Sequence, residues 1–130
     1  MEKNSYIKWL IIFLWLITIH SLIIGLLLIF LPVSAFHFFG FEIEIKFFTI
    51  QSGVLHILMA LVYSIAALYI YKAKLLIIYI FIVKLTASIF LTIFYYFIDS
   101  ILIVLLSGIT DFLMGITIFI LFFKTNKELN

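Results

Sequence analysis

The chain has 130 residues, of which 68% are hydrophobic and 11% charged, and its mean hydropathy is +1.43. This composition excludes a water-soluble domain, because a soluble domain of this size would expose too much apolar surface to stay in solution. The net charge is only +2, and the lysines stand mainly beside the ends of apolar runs, so no basic stripe indicates nucleic-acid binding. The absence of cysteine excludes disulfides, thiolate metal sites and Fe–S clusters.

Four continuous apolar runs are each long enough to cross a bilayer as a helix, which takes about 20 residues. They cover residues 6–31, 47–71, 75–97 and 101–123, approximately, within a single transmembrane domain of residues 1–130. A β-barrel would instead alternate apolar and polar residues along strands of roughly ten residues. Val33-Ser34-Ala35 has the small residues of a signal cleavage site, but the run before it is far longer than a signal's apolar segment. We therefore expect the first run to be retained.

The connections between the runs differ in length. Residues 32–46 form a Phe-rich connector, in which Phe41–Lys46 alternates apolar and charged residues. This alternation predicts a short strand or a folded segment at the membrane interface. The second and third spans are joined by the tight turn Lys72-Ala73-Lys74. Asp99-Ser100 forms the last turn and is predicted to cap the fourth span.

Short turns make the second, third and fourth spans antiparallel neighbours, which predicts an all-α, integral membrane four-helix up-down bundle. The N-terminus, the second loop and the polar tail 124–130 then share one face, whereas the connector and the last turn share the other. The second face holds one lysine, Lys46. The first face holds six: Lys3, Lys8, Lys72, Lys74, Lys124 and Lys127. The positive-inside rule therefore predicts a multi-pass protein of the cell (inner) membrane with both termini cytoplasmic and the connector outside.

Each span carries one ionisable side chain far from its ends. Lys84 lies nine residues into the third span and Asp111 ten residues into the fourth. At 1.5 Å per residue these positions are about 14 and 15 Å deep, near the middle of a hydrocarbon core about 30 Å thick. His56 lies nine residues into the second span, and His20 fourteen residues into the first. All four groups are therefore expected at similar depth.

An isolated charge at this depth costs at least about 2.5–3.5 kcal/mol, so Lys84 and Asp111 are expected to pair or to face one water-filled cavity. Polar rows at helical spacing support a shared interior, since Ser88 follows Lys84 by four residues and Gln51 lies beside the row of His56. The predicted ligand-binding residues are Lys84, Asp111, His56, His20, Gln51 and Ser88. The structural alternative is an ion pair and a set of small polar residues that only hold the helices together.

Several sharper chemistries fit these residues less well. A Ser88–Lys84 nucleophile would need a deprotonated lysine, which a neighbouring Asp111 opposes. Haem held between His20 and His56 suits their depth, but two isolated histidines are a weak indication. The helix ends lack the paired acidic clusters that bind hard metal ions, so no metal site is predicted. Small multidrug exporters also have four helices but use an acidic residue inside the first, where this chain has none.

The preferred function is binding of an amphipathic ligand, a quinone or a lipid, by the polar core, or service as a membrane partner subunit, without a reaction of its own. One alternative is a membrane enzyme or redox subunit that uses Lys84, Asp111 and His56 for proton transfer. Another is a small transporter or proton pathway through the same residues. A homodimer or a complex with another membrane protein is compatible with each. No catalytic residue is identified, and no resident cofactor is predicted beyond a quinone or haem.

Short motifs follow the first span: Leu31-Pro32, then Phe38-Phe39-Gly40-Phe41, then Phe48-x-x-Gln51-Ser52-Gly53, with Asp111 and Gly115 in the last span. In this arrangement the chain resembles the DoxX-like group of small four-helix membrane proteins, including its BphX-like branch. The resemblance covers the topology of the whole chain and the motifs of residues 31–63. It implies a four-helix fold and an association with quinone-linked oxidoreductases or membrane redox-stress complexes. It supplies no catalytic residues.

Overall fold

A computed structural model describes residues 5–129, and the side chains of residues 5–126. The helices are α1 (Ser5–Phe30), α2 (Val33–Phe38), α3 (Phe47–Leu68), α4 (Lys74–Phe97) and α5 (Leu102–Leu129). No strand occurs within residues 5–129. The helices α1, α3, α4 and α5 are each long and apolar enough to cross a membrane. The predicted all-α membrane bundle of four helices is therefore confirmed, and the chain is a multi-pass membrane protein.

The four long helices expose large apolar side chains on their outer faces, as a bilayer requires. Trp9, Leu16 and Phe30 on α1 are each more than half exposed, and so are Leu75 on α4 and Leu113 on α5. In lipid such exposure is favourable, while every helical N–H and C=O is satisfied within its own helix. Apolar residues around nearly the whole circumference therefore produce helices that are stable only where lipid surrounds them.

The helices pack as two pairs. α1 lies along α3 and α4 lies along α5, and α1 also contacts α5, whereas the contact between α3 and α4 is the smallest of these four. The short turn at residues 69–73 thus joins α3 to α4 without packing them closely along their lengths, which the sequence did not predict. Glycines explain the close pairs: a Cβ on Gly53 of α3 would lie only 2.6 Å from the carbonyl oxygen of Gly25 on α1. Gly108 of α5 similarly lies against Leu91 of α4. Small residues let helix backbones approach closely in membranes.

The connector is a folded segment rather than a strand. Pro32 precedes α2 in an extended conformation, and α2 ends after one and a half turns at Phe38. Gly40 follows with φ 91°, a left-handed conformation that glycine adopts without a Cβ clash. The N–H of Phe41 then donates to the carbonyl of Phe36 over 3.0 Å. A Cβ on Gly40 would lie 3.7 Å from Ile101 at the start of α5, so the connector reaches across to the second helix pair.

α5 begins at Leu102, close to the expected start of the fourth span. Ser100 does not cap this helix; its hydroxyl donates to the carbonyl of Tyr95 at the end of α4 over 3.2 Å. The helix also continues past the expected end of the span near residue 123, as far as Leu129. The Lys124 ammonium lies 4.9 Å from the ring centroid of Tyr6, and Thr125 is 4% exposed. Contacts with the start of α1 therefore extend the helix through residues that the sequence marks as a polar tail.

We call the end of the bundle with Lys8, Lys72, Lys74 and Lys124 the lysine-rich end, and the opposite end the connector end. The buried hydrophobic core lies entirely on the lysine-rich side of the four ionisable residues at mid-depth. Its members come from all four long helices and the α3–α4 turn: Ile7, Leu10, Leu14, Ile17, Tyr63, Ala66, Ala67, Ile70, Ala73, Ile77, Ile80 and Ile118. The buried hydrophobic residues on the connector side are Phe36, Ile101 and Val104. The core therefore ends at the level of the four ionisable residues His20, His56, Lys84 and Asp111.

Candidate polar site at the centre of the bundle

Lys84 and Asp111 form an ion pair between α4 and α5. The lysine Nζ donates to the aspartate Oδ1 over 2.6 Å, and the two side chains are 6% and 17% exposed. The predicted pairing of these charges is confirmed. Gly115 faces the lysine, since a Cβ at this position would lie 3.4 Å from the Lys84 Cβ, in ordinary van der Waals contact. One turn from the carboxylate, α5 thus approaches α4 closely enough for the lysine to reach Asp111.

The ring of Tyr63 in α3 faces the Lys84 ammonium. The Lys84 ammonium is 5.6 Å from the centre of its ring, and the tyrosine is 2% exposed. An aromatic face attracts a cation, and the attraction is stronger where water is excluded. Tyr63 follows His56 by seven residues, two helical turns on the same face, and this spacing is the signal by which the sequence could have placed it in the site.

His56 joins the site to the α1–α3 interface. The hydroxyl of Ser21 donates to the carbonyl oxygen of His56 over 2.9 Å and lies 3.3 Å from its ring Nδ1. His20 is the neighbour of Ser21 in α1, and both histidines are partly buried. Each of the four long helices carries one ionisable group near its middle, and we call His20, His56, Lys84 and Asp111 together the polar layer.

The other two predicted residues lie outside this layer. Ser88 is buried one turn from Lys84 toward the connector end, where it lines a groove of about 360 Å³ between α4 and α5 with Thr92 and Phe112. Gln51 is exposed in the second turn of α3. Leu55, one turn further along that face, is also exposed. Ser88 thus borders the site, whereas Gln51 lies on the side of α3 that faces away from the bundle.

The geometry does not fit a haem between His20 and His56. Their helices are in backbone contact one turn away at Gly25 and Gly53, so no space separates the two imidazoles for a porphyrin plane. The short ion pair likewise leaves Lys84 bonded to Asp111 rather than to a nucleophilic serine. Within the described residues no group of three or more His, Asp or Glu side chains could hold a metal ion.

A pocket of about 280 Å³ lies beneath the connector. Three aromatic side chains, Phe36, Phe41 and Phe48, line it together with aliphatic residues and the hydroxyl-bearing Ser52. Ser52 precedes His56 by four residues and therefore stands one turn above it on the same face of α3. The pocket is apolar apart from Ser52 and Thr49, and it places an apolar space about one helical turn from the polar layer.

Comparison of the chain with protein-family models, with curated proteins and with solved structures finds no match.

Proposed function

We propose that this membrane protein binds an amphipathic small molecule, a quinone or a lipid, with the polar head at the mid-depth layer. The observation that carries the proposal is the position of that layer. Lys84, Asp111, His20 and His56 lie where the packed core ends, and the connector half beyond them holds a pocket that is lined mainly by apolar side chains and begins about one helical turn from His56. A site that combines convergent polar groups with an apolar wall is the usual form of a small-molecule site.

The polar groups suit the head of such a ligand. Lys84 carries hydrogen-bond donors, Asp111 carries acceptors, and a histidine offers either. The Asp111 side chain is more exposed than its partner, at 17% against 6%, so the carboxylate is the side of the ion pair that a ligand reaches. A quinone carbonyl would accept from the lysine or a histidine, and a hydroxyl of a lipid head would donate to Asp111. The apolar part of the molecule would lie against Phe36 and the other aromatic side chains beneath the connector.

The test is native mass spectrometry of the protein released from mild detergent. The parent is compared with a charge-neutral double variant, Lys84→Met with Asp111→Leu, which removes the polar head site without leaving a charge unpaired. Thr117→Val is the matched control, because the Thr117 hydroxyl bonds to the Leu113 carbonyl of its own helix at 2.8 Å. We expect a reproducible added mass on the parent and the control, and its loss from the double variant.

Two results would contradict ligand binding at this layer. One is an added mass that the double variant keeps, which would place the molecule elsewhere. The other is a bare parent whose thermal stability does not change when a short-chain ubiquinone or a phospholipid is added to the detergent solution. If the protein carries no added small-molecule mass but is detected in a complex with a second polypeptide, the result would instead support service as a partner subunit.

A redox subunit that transfers protons is the second candidate, favoured by two histidines that lie near the middle of α1 and α3, as Lys84 and Asp111 do in α4 and α5. Imidazoles relay protons near neutral pH, and the reduction of a quinone to a quinol consumes protons. A transporter or through-going proton pathway ranks lower, because the closely packed core closes the lysine-rich side of the layer. These alternatives predict that Asp111→Asn abolishes proton movement in proteoliposomes, measured with a pH-sensitive dye, whereas simple ligand binding predicts no proton movement in either protein.

We also propose that the lysine-rich end faces the cytoplasm of a bacterial-type inner membrane. Lys8, Lys72, Lys74 and Lys124 stand at that end and Lys46 at the connector end, an asymmetry that favours cytoplasmic termini. Membership of the DoxX-like group would agree with a quinone-linked role and rests on the motifs of residues 31–63. Because the chain has no cysteine, single cysteines placed at residues 46 and 72 can test the orientation by labelling of intact cells with a membrane-impermeant maleimide.

A further inference from the structure

A second, smaller cavity lies at the lysine-rich end, far from the polar layer. It has a volume of about 20 Å³ and lies where α1, α4, α5 and the α3–α4 turn meet. Its wall includes Ile7 of α1, Ile70 at the α3–α4 turn, Lys74 of α4, and Thr125 and Asn126 of α5. The cavity is therefore built by the ends of the bundle and not by one helix.

Two polar atoms in this wall are buried and unpaired. The Oγ1 of Thr125 and the Oδ1 of Asn126 have no hydrogen-bond partner among the described residues, and Thr125 is only 4% exposed. Helical threonines elsewhere in the chain satisfy their hydroxyls locally: Thr110 and Thr117 each donate to the carbonyl four residues earlier over 2.8 Å. Buried polar atoms in folded proteins are nearly always paired with protein or with ordered water.

We propose that one water molecule occupies this cavity and bridges Thr125 and Asn126. A water needs at least about 10–15 Å³ of such space and two to four polar partners. The cavity meets the first requirement with room for one molecule, which also excludes a phosphate or any larger anion. The water accepts from the Thr125 hydroxyl and donates to the Asn126 Oδ1.

This water would explain why α5 extends beyond its apolar run. Thr125 and Asn126 belong to the polar tail, yet they pack inside the bundle against Ile7 and Ile70. Without a partner the burial of these two polar atoms would be unfavourable, and a shared water removes that cost. The apolar contacts with Ile7 and Ile70 can then hold the end of α5 inside the bundle.

The sign of one stability change tests the proposal. Thr125→Val keeps the shape of the side chain and removes only the hydroxyl. If the cavity holds water, the variant loses a hydrogen bond and its melting temperature in detergent falls by about 2–5 °C. If the cavity is dry, the substitution removes an unsatisfied buried group and the melting temperature rises. Thr117→Val, the same substitution on the lipid side of the same helix, should shift the melting temperature less.

A second measurement does not depend on how the variant folds. In the parent protein, labelled with ¹³C at the threonine methyl groups, the Thr125 methyl should show a nuclear Overhauser cross-peak to a long-lived water, and the Thr117 methyl should not. A higher melting temperature for Thr125→Val would overturn the proposal. So would the absence of the cross-peak from the Thr125 methyl when that resonance is assigned and sharp.

Discussion

The two halves of the bundle are held together differently. In the lysine-rich half, residues from all four long helices share one core, with Leu10, Leu14 and Ile118 completely buried. In the connector half the close contacts lie within each helix pair, at Gly25 and Gly53 in one and at Gly108 in the other. The polar layer stands at the boundary. A bundle can therefore be closely packed along half its length and leave its charged residues at the base of a looser half.

The difference has a physical origin in the membrane. Lipid tails are as apolar as leucine, so no hydrophobic force draws helices together, and close packing depends on shape. Small residues supply that shape within each pair, while Tyr63 and Lys84 are bulky groups between α3 and α4. The looser contact of α3 with α4 thus follows from the same side chains that make the site.

The largest expected loss of stability comes from removing one member of the ion pair in the polar layer. Lys84→Met leaves the Asp111 carboxylate buried without its partner, and removing one member of a buried pair costs about 3–5 kcal/mol. Adding Asp111→Leu should restore stability to that of the parent or above it. The measurement is equilibrium unfolding of the three proteins in bicelles. A single variant as stable as the double variant would mean that water reaches the carboxylate from the connector half.

The next largest loss of stability distinguishes the two halves of the bundle by one truncation in each. Ile118→Ala removes a completely buried side chain from the shared core, and such truncations cost about 2–5 kcal/mol through the cavity they leave. Ile109→Ala, on the same helix in the connector half, changes a side chain that is 47% exposed to lipid and should cost less than about 0.5 kcal/mol. Both are measured by the same unfolding assay. Equal losses would contradict the distinction between a shared core and a looser half.

The smallest effect tests the contacts within one pair. A Cβ added at Gly53 would lie 2.6 Å from both the Gly25 carbonyl oxygen and the Ile29 Cγ1, so Gly53→Ala must separate α1 from α3 and should cost about 1–3 kcal/mol. Gly115→Ala is the control, because its new Cβ would come no closer than 3.4 Å to Lys84 and should be nearly neutral. Hydrogen exchange of α5 amides around Ile118 should be unchanged by Gly53→Ala. Faster exchange there would show that the two halves are coupled.

Much of the site could be predicted because depth is a linear property of a helix. A residue count from each span end placed Lys84, Asp111, His56 and His20 at one level, and the cost of an isolated charge predicted the ion pair. Gln51 was assigned because it lies beside the helical row of His56, next to Ser52, and the structure places it on the outward face of α3. A one-residue step turns a side chain by about 100° around a helix, so proximity in sequence does not decide which face a residue occupies.

The sequence by itself determined the class of protein, the four spans and the depth of the polar layer, because length and hydropathy leave a bilayer as the only suitable solvent. Tertiary structure alone decided which helices pack closely. Short turns favour both α3 with α4 and α4 with α5, and the second of these pairs is observed, but the closest contact of α3 is with α1, where Gly25 meets Gly53. Tertiary structure also decided where α5 ends, since the burial of Thr125 and Asn126 depends on α1 and the α3–α4 turn. Contacts between distant segments set these features, and no local pattern in the chain records them.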